Sequence, residues 1–122
     1  MGGDIRVHID PTEMGEIMRR SGLAISAAGS TMGELAALGV PAILAVVAKN
    51  QEVSAQLAAE AGWCRTLDAR APGAIGALAD EALALWEDPA ARRKMADRAA
   101  GVVDAGGVGR VCESLVAAVA KP

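Results

Sequence analysis

Gly29, Ser30, Thr31 and Glu34 stand close together after one short apolar run, and Asn50 and Gln51 follow the next. A glycine followed by two hydroxyl residues leaves backbone N–H groups approachable and adds two hydroxyl donors. That combination suits a phosphate or diphosphate, above all at the start of a helix, where backbone donors lack partners. Glu34, one turn further on, offers two acceptor oxygens, which suits a pair of neighbouring hydroxyls such as those of a ribose. Gln51 carries a neutral amide that both donates and accepts, as sugar hydroxyls require, and Lys49 beside it could pair with a phosphate.

The same residues have a plainer reading. Thr31-Met32-Gly33-Glu34 satisfies the T-x-x-E capping box, in which both side chains tie up backbone donors of their own helix. Asn50 is a favoured N-cap, and Lys49 reads equally well as a solvated loop residue. Spacing alone leaves both readings open. The Gly-Ser-Thr turn is neither a P-loop, since no G-x-x-x-x-G-K-[ST] is present, nor a G-x-G-x-x-G turn.

Elsewhere the chemistry is sparse. His8 is the only histidine, and it falls on the polar side of an alternating stretch with no predictable base or nucleophile partner, so it reads as structural. No catalytic residue is assigned. No carboxylate or histidine grouping has ligand spacing, so neither a metal nor a cofactor is expected. "DAGGVGR" at 104–110 follows no strand and reads as a connector between helices, and Arg92, Arg93 and Lys94 read as a solvated helix face.

The elements that must position the candidate residues alternate. "IRVHI" at 5–9 predicts a strand with Ile5, Val7 and Ile9 on one face. "PTEMGEIMRRSG" predicts a helix with Pro11 and Thr12 at its start, Met14, Ile17 and Met18 on one face, and Gly22 as its stop. "LAISAA" predicts a strand buried on both faces, a helix from about Thr31 to Leu38 follows, and Gly39 with Pro41 ends it. "PAILAVV" predicts a third strand, "NQEVSAQLAAEAG" a helix capped by Asn50 and ended by Gly62, and "WCRTLD" a short fourth strand. "PGAIGALADEALALWED", "PAARRKMADRAAGVVDA" and "VGRVCESLVAAVA" predict three helices, packed on the sheet or reaching elsewhere. The expected fold is a small Rossmann-like α/β three-layer sandwich with a mostly parallel sheet. Residues 1–68 form its alternating core and 69–122 its helical C-terminal third, within one domain.

Composition narrows the partners. The chain has 122 residues, enough for one ordinary domain, and a net charge of −3 with 22% charged residues spread along it. No basic stripe is present to neutralise phosphates along a strand, and with two Trp and no Phe or Tyr there is little for bases to stack on, so nucleic acid is not an expected partner. Cys64 and Cys112 lie outside any C-x-x-C spacing and read as reduced, partly buried thiols. The longest apolar run, "VPAILAVVA", is too short to cross a bilayer, and the expected location is the cytoplasm.

Taken together, "MGEIMRRSGLAISAAGSTMGELAALGVPAILAVVAKNQEVSAQLAAEAG", residues 14–62, closely resembles the C-terminal nucleotide-sugar-binding half of GT-B glycosyltransferase-like proteins. The nearest group is the UDP-2,4-diacetamido-2,4,6-trideoxy-β-L-altropyranose hydrolases of pseudaminic acid biosynthesis, related to SpsG-type spore-coat polysaccharide proteins and more distantly to the MurG transferase. "VDAGGVGRV" at 103–111 is similar to a degraded form of the D-G-x-G-x-x-R-V segment of that family.

The resemblance implies a UDP-sugar or other nucleotide-sugar ligand. Gly29, Ser30 and Thr31 would hold the diphosphate, Glu34 the ribose, and Asn50 and Gln51 the sugar. It also implies a partner half: the family's N-terminal catalytic domain, with the histidine and glycine-rich loop that activate water, has no counterpart in this chain, and His8 does not correspond to that histidine. Lys49 replaces an acidic residue common before the Asn-Gln pair. Hydrolysis or transfer is therefore not expected of this chain alone. The alternative is a truncated or degenerate interaction module that binds no nucleotide and could form a homodimer, because an open sheet edge and uncovered apolar surface favour self-association.

Overall fold

The computed structural model describes residues 3–121. Three parallel strands, β1 (Ala24–Ala27), β2 (Ala42–Val46) and β3 (Cys64–Asp68), form one sheet in the order β1-β2-β3. The central strand comes from the most apolar part of the chain, and all of Ala42–Val46 is buried. This is what a parallel strand with helices on both faces demands. The register sets Ala24 opposite Ala42 and Ala27 opposite Ala45, then Ala42 opposite Cys64 and Val46 opposite Asp68, so the three carboxyl ends lie at one end of the sheet.

Alternation along β2 divides the core into two layers. Ala42, Leu44 and Val46 face the layer built by Leu35 and Ala36 of α2 (Thr31–Ala37), Ala55 and Ala58 of α3 (Glu52–Ala61), and Trp63. Ile43 faces the other way, against Leu85 of α4 (Ala74–Trp86) and Met95 of α5 (Pro89–Ala99). The result is the expected three-layer α/β sandwich. Leu44, Ile43 and Leu85 are completely buried, and each such side chain contributes about 1.5–3 kcal/mol of burial free energy.

Local signals end the helices where the layers need them to end. Gly62 closes α3 in the left-handed region at φ 82°, with Arg98 lying over it. Asp88 caps α5 by accepting the Ala91 N–H at 2.9 Å, and Pro89 opens the helix. At the corner between α4 and α5, Arg92 donates to the carbonyl of Leu85 at 2.5 Å and to that of Trp86, with its guanidinium 5.0 Å from the Trp86 ring. The sharp turn between the two helices is thereby closed.

Four expectations are corrected. No strand forms at 5–9, where Ile5, Val7 and Ile9 are 92%, 79% and 88% exposed. Alternation makes a segment competent to pair, but a strand needs a neighbour's ladder, and the edge of β1 does not supply one here. "WCRTLD" is consequently the third strand and not the fourth. β1 is an edge strand with Ile25 half exposed, whereas burial on both faces was expected. As the sequence allowed, α4 and α5 cover the sheet while α6 (Gly107–Ala120) buries no residue. The first helix, α1 (Met14–Arg19), starts after a left-handed Asp10 (φ 48°) and is shorter than its sequence signals suggested, although Met18 still packs on the core. No helix among the described residues is long and apolar enough to cross a membrane.

Candidate functional site

The carboxyl ends of the strands lead into three turns, and the predicted binding residues occupy the first two. The ladder runs one residue past β1, where the Ala28 N–H donates to the Ala45 carbonyl at 3.0 Å, and then Gly29 and Ser30 turn the chain into α2. Short bonds from the Met32 N–H to the Gly29 carbonyl (3.2 Å) and from the Gly33 N–H to the Ser30 carbonyl (3.1 Å) tighten the entry. The N–H groups of Gly29, Ser30 and Thr31 meet no acceptor among the described residues.

The capping box does not form. Ser30 occupies the N-cap position, so Thr31 is already the first helical residue and Glu34 the fourth. The T-x-x-E box needs its members at the cap and at the third position, so the pair is one residue out of register. No side chain caps α2, and those of Ser30, Thr31 and Glu34 make no hydrogen bond among the described residues. Glu34 is exposed.

The second turn also departs from expectation. Asn50 is not the N-cap of α3: the chain leaves Ala48 in an extended conformation and makes a 3-10 turn over Lys49–Gln51, placing Gln51 in the position before Glu52, the first residue of α3. Asn50 and Lys49 are exposed. Gln51 folds back so that its Oε1 accepts the Val47 N–H at 2.9 Å. That bond fixes the amide the right way round, with Oε1 engaged and the two Nε2 hydrogens left to donate. A Cβ built on Gly29 would stand 3.9 Å from Gln51 Nε2. The glycine turn of β1 and the glutamine turn of β2 thus lie side by side, the Gln51 amide within van der Waals reach of a side chain at Gly29.

The third turn holds residues that the motif reading passed over. Arg70 lies over Asp68, the last residue of β3. Its backbone N–H and Nε both donate to Asp68 Oδ1 (2.9 and 2.8 Å), and its Nη2 reaches Glu52 Oε1 at 2.8 Å. Hydrogen bonding to Arg70 holds the Asp68 carboxyl below its ordinary range, and the Asp68 and Glu52 carboxylates raise the Arg70 guanidinium in turn. A groove of about 590 Å³ runs beside them, lined among others by Gln56 and Thr66. An Asp-x-Arg following a predicted strand was the available signal.

Other candidates fall away. His8 is exposed and lines a separate groove with Thr12, Glu16 and Arg20. Cys64 is buried, which pushes its thiol up to about 11, while Cys112 is exposed on α6; both are free thiols. Of the connector expected over 104–110 only 104–106 lies between α5 and α6, where Asp104 accepts the Gly106 N–H at 2.7 Å, and 107–110 form the first turn of α6. What remains at the carboxyl ends of β1 and β2 is a donor-rich surface, with three backbone N–H groups and an oriented amide, and an acidic side chain one turn along α2. It is suited to an anionic, polyhydroxylated ligand.

A family model, the glycosyltransferase family 28 C-terminal domain, matches residues 10–105, which contain all three strands and both turns. No curated protein matches the chain.

Proposed function

From the chain's membership of the glycosyltransferase family 28 C-terminal domain family, to which it belongs, we propose that it binds a UDP-linked amino sugar at the facing turns of β1 and β2. In this reading the Gly29, Ser30 and Thr31 N–H groups and the two hydroxyls hold the diphosphate, Glu34 the ribose, and Asn50 and Gln51 the sugar. The observation that carries it is the approach of Gln51 Nε2 to the glycine turn, with its amide oriented to donate and unbonded backbone donors opposite. Parallel sheets bind their ligands beyond the carboxyl ends of the strands, where both turns lie.

The domain is the nucleotide-sugar-binding part of a hydrolase or transferase of surface-polysaccharide or nonulosonic acid synthesis. Attack at the anomeric carbon, by water or by an acceptor hydroxyl, expels the nucleoside diphosphate. The donors of the 29–31 turn stabilise the negative charge that gathers on the leaving phosphate oxygen. In this reading the general base comes from an N-terminal catalytic domain.

Calorimetric titration with UDP and UDP-N-acetylglucosamine, with CDP and GDP as controls, tests the reading. Selective uridine nucleotide binding, with the affinity for UDP-N-acetylglucosamine but not that for UDP weakened in Gln51→Ala, supports it. A folded chain that binds none of the four at millimolar concentration refutes it. The open edge of β1, with Ile25 exposed, favours the second reading, a self-associating module, and sedimentation of such a non-binding chain as a dimer would support that alternative.

A further inference from the structure

We propose that Arg70 is a positioning residue for the Gln51 amide, an inference that rests on the reading that Gln51 meets the nucleotide-sugar. The orientation of Gln51 depends on one neutral hydrogen bond, from the Val47 N–H to Oε1, in a turn open to solvent. A bond of that kind contributes little net free energy by itself, so the geometry must come from what holds its two ends.

Both ends lead to the same place. On one side, the Ala69 N–H donates to the carbonyl of Val46 at 3.0 Å, which ties the residue before Val47 to the turn after β3. On the other side, Glu52, the residue after Gln51, is gripped by Arg70 Nη2 at 2.8 Å. Arg70 is itself fixed on Asp68 by Nε and Nη2 (2.8 and 3.1 Å) and by its backbone N–H. A planar guanidinium meets one carboxylate with two parallel donors and still reaches a second, whereas a lysine ammonium acts as a single point charge. Arg70 therefore links the end of β3 to the start of α3, with the Gln51–Val47 bond enclosed between its two attachments.

Exposed ion pairs add little to stability, and Arg70, Asp68 and Glu52 are all well exposed, so the network's consequence is geometric. Arg70 does not touch the ligand in this account. It restricts the approach of Gln51 Nε2 to the glycine turn, and removing it frees the amide to swing or flip.

The test uses the full chain and two measurements. Amide hydrogen exchange at Val47 reads the Gln51 bond directly, without ligand. In Arg70→Ala, Val47 should exchange faster, approaching its rate in Gln51→Ala, while the amides of β2 and the melting temperature stay at wild-type values. Titration with UDP-N-acetylglucosamine should show Kd raised about fivefold in Arg70→Ala, partial recovery in Arg70→Lys, and no further loss when Arg70→Ala is added to Gln51→Ala. Unchanged Val47 exchange in Arg70→Ala overturns the proposal, as does a loss of affinity that adds fully to that of Gln51→Ala. If the wild-type chain binds no nucleotide-sugar, the binding reading fails, and the exchange at Val47 still decides whether Arg70 holds Gln51.

Discussion

Replacing Glu34 by alanine separates a ligand contact from a helix cap, because the two roles predict different losses. In the structure Glu34 is exposed, one position beyond the place a capping box requires, and makes no hydrogen bond among the described residues. Alanine is a slightly better helix former than glutamate, and the charge lost from the first turn of so short a helix offsets that gain, so stability should stay within about 0.5 kcal/mol of wild type. A working capping box would instead lose about 1 kcal/mol, which moves a urea midpoint by roughly 0.3 to 1 M. If Glu34 accepts hydrogen bonds from a ribose, affinity for UDP should fall by about 1–3 kcal/mol, or roughly fivefold to 150-fold in Kd. Urea unfolding followed by tryptophan fluorescence and calorimetric titration of the same preparation measure both quantities. Unchanged UDP affinity, or a drop in stability equal to the drop in binding, refutes the reasoning.

Four further outcomes follow from the packing. Gly62→Ala places a Cβ 2.5 Å from Arg98 Nη1 at a φ of 82°, and should lower unfolding free energy by about 1–2 kcal/mol in denaturant titration, with Arg98→Ala relieving only the steric part. Asp88→Ala removes the acceptor of the Ala91 N–H and should cost about 1 kcal/mol by the same assay, most of it recovered in Asp88→Ser. Cys112 should react with a thiol reagent at neutral pH while Cys64 resists until the chain unfolds. Burial moves the Cys64 thiol from its ordinary 9.0 up to about 11, so above pH 9 the unfolded chain releases this proton while the folded chain keeps it. Its contribution to stability is complete below pH 9 and is lost as pH rises towards 11; a Cys64→Ala variant should lose less stability across that window.

Much of the architecture was legible from local signals. The run "AILAV" read as a strand because it is short, apolar and bounded by turn signals, and the structure covers it on both faces. Gly62 and Pro89 marked helix ends by conformational rules that act within a few residues. The α/β sandwich and the placing of Gly29–Thr31 and Asn50–Gln51 at strand ends followed from that alternation. Tertiary contact decided the rest. "IRVHI" has the pattern of a strand, but a strand exists only through a neighbour, and none pairs with it here. Thr31 and Glu34 have the spacing of a capping box, but α2 starts one residue earlier than that box requires, with Ser30 at the cap position, so the motif does not fit. The hold of Arg70 on Glu52, across eighteen positions of sequence, depends on β3 lying beside β2. Periodicity and capping chemistry are properties of adjacent residues and can be read along the chain, whereas the direction of a side chain at a turn is set by whatever the fold brings next to it.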